Sequence, residues 1–325
     1  MKQEIFVEKT KNIKQIFLAL ESSCDDTCAS VVCNDNGKIC VLSNIVSSQT
    51  DIHTLYGGVV PEIASRNHAL AILPVVTESL KVAGLTIDDV TNVCATTHPG
   101  LRGAVMVGDI FGRSFANARN LPFTAVNHLH GHIASVAINK DIKPPFLSLV
   151  VSGGHTAIYS VKKWGAISLV MQTMDDAVGE AFDKVAKLLG LGLPGGVHIE
   201  RLAKEYTGEL ITFVKHPRAD GFTYSGLKTA VMNYTNKIDV PKICASFQHE
   251  AVMQLVSRTI EEMKKSGQRK LAVSGGVSAN GYLRDLMSKA VAEIGGTVFF
   301  PEQKYCTDNA AMIGAAAILG LKFVD

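Results

Sequence analysis

Ile16-Phe17-Leu18-Ala19-Leu20 runs into Glu21-Ser22-Ser23-Cys24-Asp25-Asp26-Thr27 and then into Cys28-Ala29-Ser30-Val31-Val32-Cys33. Two apolar runs separated by a polar segment read as strand, turn and strand. The pattern returns in the second half. Phe146–Val151 is an apolar strand, Ser152-Gly153-Gly154-His155-Thr156 the turn, and Ala157–Val161 the return strand. A third version, Lys270–Val273, passes through Ser274-Gly275-Gly276-Val277-Ser278-Ala279-Asn280 into Tyr282–Ile294, whose apolar residues fall at helical spacing. Strand, turn and strand once per half predicts an internal duplication. Both halves continue into helices, so the expected class is α/β.

Other helices are legible around these hairpins. Pro61–Leu80 starts with Pro, and its internal Pro74 is expected to kink or break it. Asp175–Leu189 has a candidate capping Asp at one end and Gly190 at the other. Ala245–Lys264 is long and amphipathic, and Asp308–Leu319 is small, apolar and Ala-rich. Pro144-Pro145 interrupts the chain before the second hairpin. The expected lobes are 14–127, joined by a returning C-terminal segment 304–325, and 128–303.

The chain has 325 residues, 47% hydrophobic and 19% charged, enough for two buried cores. Its formal net charge is only +2, which argues against a strongly salt-driven nucleic-acid binder acting alone. Seven scattered cysteines read as reduced thiols of a cytoplasmic protein. Cys24, Cys28 and Cys33 fit packed strand residues better than a zinc site, since no second cluster follows. The first fourteen residues mix charges without an apolar run, unlike a secretory or transit signal. No stretch is long and uncharged enough to span a bilayer, so no membrane role is expected.

Asn127-His128-Leu129-His130-Gly131-His132 sets His128 and His132 at i and i+4, one face of a helix. Two imidazoles about 6 Å apart at Cβ can share one ion. The bland alternative is surface or core histidines, and Leu129 stands where zinc proteases carry their catalytic Glu. Asp308 is the leading third ligand; a plain helix cap is its other reading. The Gly-Gly turns at Gly153-Gly154, Gly195-Gly196 and Gly275-Gly276 let backbone N–H groups approach a phosphate or a base, although tight hairpins also use such pairs. Asp25 and Asp26 sit on the first polar turn. Asp183, whose alternative is a solvated helix face, and Glu200 are candidate acceptors for a ribose hydroxyl.

Taken in order, these segments resemble the TsaD family, also called Gcp, YgjD or glycoprotease. The carrying motifs are Glu21–Thr27, Pro61-Glu62-Ile63-Ala64-Ser65-Arg66 with His68, His128–His132, Val151–Thr156, Asp175-Asp176-Ala177 with Gly179–Lys184, Pro194-Gly195-Gly196, Tyr224–Thr229, Gly275–Asn280 and Thr307–Ala311. Each alone is unspecific, but the ordered set is highly specific and spans about residues 16 to 320.

The resemblance implies an actin-like ATPase (ASKHA) fold, with two duplicated lobes and a ligand cleft between them. It implies an acyltransferase that moves threonylcarbamoyl from threonylcarbamoyl-AMP to the exocyclic amine of the adenosine 3′ of the anticodon, in tRNAs reading codons that begin with adenine. His128, His132 and Asp308 would hold one divalent metal, iron(II) favoured and zinc(II) the alternative. Val151, Ser152, Gly153, Gly154 and His155 would line the intermediate, and Asp183, Gly196, Glu200 and Asn280 its adenosine part. Asp25 and His155 are the expected catalytic polar groups. Implied partners are tRNA, the pseudo-homologue TsaB, the ATPase TsaE and a TsaC-type synthase that supplies the intermediate. A metalloendopeptidase and a non-catalytic, nucleotide-gated binding module are the competing readings. Two departures stand out: His98 where the family usually has Gly, and Val197 after Gly196 where Pro is common. His accepts positive φ less readily than Gly, so the first bears on the loop backbone.

Overall fold

The computed structural model describes residues 15–213, 221–234 and 239–321. The chain divides into two compact units. The first runs to Ile142 and resumes at Asp308; the second is Lys143–Thr307.

The first unit is built on β1 (Gln15–Glu21), β2 (Asp26–Asp35), β3 (Lys38–Ser48), β4 (Asn92–His98) and β5 (Phe123–Asn127). Their order is β3-β2-β1-β4-β5. The β1/β2 and β2/β3 pairs are antiparallel; β1/β4 and β4/β5 are parallel. Ile16 through Leu20 are all buried, as a strand covered on both faces requires. The helices are α1 (Thr50–Thr54), α2 (Pro61–Ala83), α3 (Arg102–Ala118), α4 (His128–Ser135) and α10 (Ala310–Ile318).

The second unit repeats the plan with β6 (Phe146–Val151), β7 (Thr156–Lys163), β8 (Ala166–Gln172), β9 (Lys270–Ser274) and β10 (Thr297–Phe299), ordered β10-β9-β6-β7-β8. Its first two pairings, β6/β7 and β7/β8, are antiparallel, and β6/β9 and β9/β10 are parallel. Strand for strand, the two sheets have one topology, the duplication anticipated from the hairpins. The helices here are α5 (Val178–Leu188), α6 (Gly195–Lys204), α7 (Ser225–Tyr234), α8 (Val240–Ser266) and α9 (Gly281–Glu293). Their core gathers Leu147, Leu149, Phe182, Phe247 and Leu255 around β6 and β9.

Several expectations are corrected. α2 runs unbroken through Pro74. Pro74 is on the exposed side, whereas Ile72, Val75, Val76 and Leu80 are buried, so packing on both sides of the proline outweighs its lost hydrogen bond. Asp175 does not cap α5, which starts at Val178 after Ala177. Its carboxylate instead accepts from Thr223 Oγ1 (2.6 Å), Tyr224 N (2.8 Å) and Ser225 Oγ (2.6 Å), securing the start of α7. Neighbouring Asp176 pairs with Lys184 (2.8 Å) and Lys228 (3.1 Å), tying α5 to α7. The boundary between units falls after Ile142 rather than near residue 127. The reason is packing: α4 lies against α10, so the His-pair helix belongs with the first unit.

Candidate metal centre and nucleotide loops

In the first unit, α4 begins where β5 ends. Asn127 is its N-cap, and Asn127 Oδ1 accepts from Leu129 N (2.8 Å) and His130 N (3.3 Å). One turn of helix then stacks His128 and His132 on the same side, ring centroids 4.8 Å apart. Asp308 comes from the other end of the chain. α10 is capped by Asn309, whose side chain accepts from Met312 N (3.0 Å). Asp308 is therefore not the cap. Its Oδ1 lies 3.2 Å from His132 Nε2 and 3.6 Å from His128 Nε2. One ligand atom from each of the three residues lies within 4.8 Å of the others. Among the described residues this is the one such group of His, Cys, Asp or Glu.

The donor set suits a metal. His132 is fully buried, yet neither ring nitrogen makes a hydrogen bond of proper geometry. A buried polar group left in that state costs about 1–3 kcal/mol, which coordination at Nε2 would offset. Two imidazoles and a carboxylate are the donor set of many iron(II) centres, and zinc(II) also accepts it.

His128 is held differently. Its Nδ1 is 3.0 Å from Glu21 Oε2 and 3.1 Å from Ser23 Oγ. Glu21 ends β1 and is 1% exposed. It also accepts from Ser23 N (2.5 Å) and Thr96 Oγ1 (2.5 Å). Burial works against the charged imidazole of His128. The Glu21 and Asp308 carboxylates, with the Glu21 hydrogen bond, outweigh burial and raise its pKa to about 9. Burial pushes the Glu21 carboxyl up, but His128 prevails and holds it below the usual range.

Asp25 lies partly buried on the β1–β2 turn, its carbonyl accepting from Gln49 N at 3.2 Å. Asp26 has one buried carboxylate oxygen, Oδ1, without a hydrogen bond. Its pKa rises to about 6, first from burial and then from Asp25 and Asp308, with a Ser48 hydrogen bond opposing. His98 has no positive φ. Its Nε2 meets Asn127 Nδ2 at 2.9 Å, and because Asn127 Oδ1 already caps α4, the amide N–H must donate and His98 Nε2 accept.

In the second unit the expected ligand-lining residues form a closed circuit. Gly179 N donates to Ser152 O at 3.3 Å, joining the β6–β7 turn to α5. On α5, Asp183 Oδ1 accepts from Gly195 N at 2.7 Å, the first residue of α6. Glu200 of α6 accepts through Oε1 from Gly281 N at 3.1 Å, and Lys204 pairs with the same oxygen at 2.7 Å. Asn280 caps α9 through Leu283 N (2.9 Å) and donates to Gln248 Oε1 (2.9 Å). Gly275 closes the circuit: at φ +92° it lies so near Val151 that a Cβ would collide with the Val151 backbone. His155 sits half-buried on the β6–β7 turn, its N–H donating to Ser152 Oγ at 3.1 Å.

The glycines of this circuit divide into two kinds. Gly179, Gly195 and Gly275 are pressed against backbone, whereas a Cβ on Gly153, Gly154 or Gly196 would meet nothing within 4 Å. The first group lets segments approach; the second leaves backbone accessible to a ligand.

Glu21, Ser23, Thr96 and Gln248 were not singled out from the sequence. A charged residue ending an all-apolar strand was the available signal for Glu21, because a buried carboxylate requires partners.

Solved structures share the fold. A full-length HypF in phosphate- and nucleotide-bound form superposes with TM-score 0.65 at 14% identity, covering 95% of this chain and 46% of that one. The (R)-2-hydroxyglutaryl-CoA dehydratase component A of Acidaminococcus fermentans gives TM-score 0.59 at 12% identity over 95% of this chain and 99% of that one. The fold is thus the actin-like ATPase fold. A tRNA N6-adenosine threonylcarbamoyltransferase of Clostridium perfringens is 47% identical over 319 residues, 95% of this chain and 93% of its own. One from Clostridium novyi is 46% identical over 320 residues, 95% and 92%. The family model described as TsaD, tRNA N6-adenosine threonylcarbamoyltransferase, matches residues 40–315. With its His-His-Asp group and glycine-lined circuit, the chain belongs to the TsaD family of tRNA N6-adenosine threonylcarbamoyltransferases.

Proposed function

We propose that this chain transfers a threonylcarbamoyl group from threonylcarbamoyl-AMP to the N6 amine of the adenosine 3′ of the tRNA anticodon, in tRNAs reading codons that begin with adenine. The observation that carries the reading is the His128–His132–Asp308 group, converging from α4 and the start of α10 in a chain similar to these transferases over nearly its full length. The three side chains would hold one divalent ion, iron(II) in preference to zinc(II), and His132 has the orphaned imidazole such an ion would satisfy. When bound, the ion supplies Lewis acidity and a template for carbonyl or phosphate oxygens.

The remaining chemistry falls to the protein. The donor is a mixed anhydride, so AMP leaves without a covalent enzyme intermediate. Val151, Ser152, Gly153, Gly154 and His155 hold the intermediate, with the open amides of Gly153 and Gly154 facing negative charge. Asp183, Gly196, Glu200 and Asn280 bind the adenosine part. Asp183 and Glu200 suit rigid acceptors, since one oxygen of each is anchored to a helix-start amide. Asp25 orients the incoming amine, and His155 is the second polar group at the reaction. The metalloendopeptidase reading is not favoured: Leu129 stands where the general base belongs.

The near-neutral charge supports reliance on helper proteins, TsaB and TsaE, for gripping tRNA, with a TsaC-type synthase supplying the intermediate. Among the described residues no helix is long and apolar enough to cross a membrane. All seven cysteines are free, in keeping with a cytoplasmic protein.

The test replaces the native gene with His128→Ala, His132→Ala or Asp308→Ala forms and measures modified adenosine in tRNA by mass spectrometry. Loss of the modified nucleoside is expected. Full modification by all three variants overturns the metal-centre reading. Metal analysis after anaerobic purification decides between iron and zinc.

A further inference from the structure

We propose that Glu21 is the positioning residue of the metal centre, fixing His128 so that Nε2 is the ligand atom. The inference rests on the His128–His132–Asp308 reading and goes beyond it, because Glu21 is outside that ligand group.

The geometry is over-determined on one side of the imidazole. Glu21 receives the Ser23 backbone N–H at Oε1, and the Thr96 hydroxyl and His128 Nδ1 at Oε2. These donors come from three places in the chain: the β1–β2 turn, β4 and α4. Both carboxylate oxygens are thus tied to the surrounding chain. With Nδ1–H donated to Glu21, the lone pair of the neutral ring lies on Nε2, the nitrogen 3.6 Å from Asp308 Oδ1. A carboxylate behind a ligating imidazole fixes the tautomer and ring orientation and increases the ligand's basicity.

The other histidine supplies an internal contrast. His132 Nδ1 is buried without a hydrogen-bond partner, so no carboxylate backs that ring on the side away from Asp308. Burial inside α4 and its packing against α10 hold it instead. The two ligands are thus prepared in different ways, and Glu21 acts on one of them. Glu21 touches neither the donor nor the acceptor in this scheme; its effect passes through His128.

The experiment titrates the metal-free full-length protein with cobalt(II) and follows the visible ligand-field bands and the dissociation constant. The parent, His128→Ala, Glu21→Gln, Glu21→Ala and Thr96→Val proteins are compared, each checked for folding by circular dichroism. His128→Ala should abolish the bands. Glu21→Gln and Glu21→Ala should weaken binding by about 10–100-fold, with band positions and intensity at saturation unchanged. Thr96→Val retains the carboxylate but removes one of its anchors, and should weaken binding by a smaller factor, about 3-fold, in a protein that folds without difficulty. Affinity within twofold of the parent for both Glu21 variants overturns the positioning role while leaving the metal reading intact. Altered bands at saturation also overturn it, because Glu21 would then be a ligand. A parent that binds no cobalt(II) overturns the metal reading and this proposal together.

Discussion

The last residue of the central strand differs between the two units, although the sheets share one topology. In the first unit that residue is Glu21, a buried carboxylate bonded to His128. In the second it is Val151, whose side chain is inert and whose backbone receives Gly275 closely. One duplicated frame thus offers a side chain at one strand end and main chain at the other. The difference separates the chemistry: hydrogen-bonded side chains gather at the first end, and the open glycines Gly153 and Gly154 follow the second.

The strongest way to break this contrast is to make the ends alike. Val151→Glu places a carboxylate at a fully buried position in the apolar core. It should destabilise the protein by more than about 4 kcal/mol, read as a lower urea midpoint or loss of soluble protein. Tolerance of that change would mean the second strand end can also accommodate charge. Gly275→Ala tests the main-chain side. Its φ is +92° and the new methyl meets Val151 backbone, so a loss of about 3 kcal/mol is expected from the same denaturation measurement.

Asp26 sharpens the electrostatic half. Its folded pKa, about 6, stands above the ordinary 3.8. The folded state therefore binds that proton more tightly than the unfolded state. The resulting stability is fully present below about pH 4 and is lost as pH rises through 6. Asp26→Asn removes the penalty. It should be more stable than the parent by about 2 kcal/mol at pH 8, after discount for partial exposure, with no difference near pH 4. Equal stabilities at pH 8 would show that Asp26 is relaxed in the native protein. The smallest effect belongs to Asn127→Ala, which removes the α4 cap and should cost about 1 kcal/mol in thermal or chemical unfolding. No loss would mean that packing against α10 alone sets the start of α4.

Local patterns carried much of this arrangement in the sequence. The paired hairpins announced the duplication, and His128 and His132 announced a shared helix face through their spacing. Asp308 is a candidate by residue type and place at a helix start, but no local rule links it to residues on α4. Nothing local in the motif around Glu21 gives it a role. Its partners Thr96 and His128 are 75 and 107 positions away, beyond the reach of periodicity. Asp175 departs from its local pattern for a related reason: capping preferences favour the helix that follows, whereas folding delivers Thr223 and Ser225 to it. Pro74 shows local propensity losing to burial, with apolar residues on both sides keeping α2 continuous. The unit boundary was missed because it depends on α10 lying against α4, a contact made across the entire second unit.

That contact also has a consequence in time. A ribosome makes the chain from its N-terminus, so His128 and His132 emerge before any of Lys143–Thr307, and Asp308 only after all of it. The helix that follows Asp308 packs on β1 and β2, so the first unit stays without a central piece of its interior until then. The first unit to be started is the last to be completed, and a nascent chain that stalls within the second unit carries two histidines and no carboxylate from Asp308. The His128–His132–Asp308 group is thereby completed late, and only in chains whose second unit has already been made.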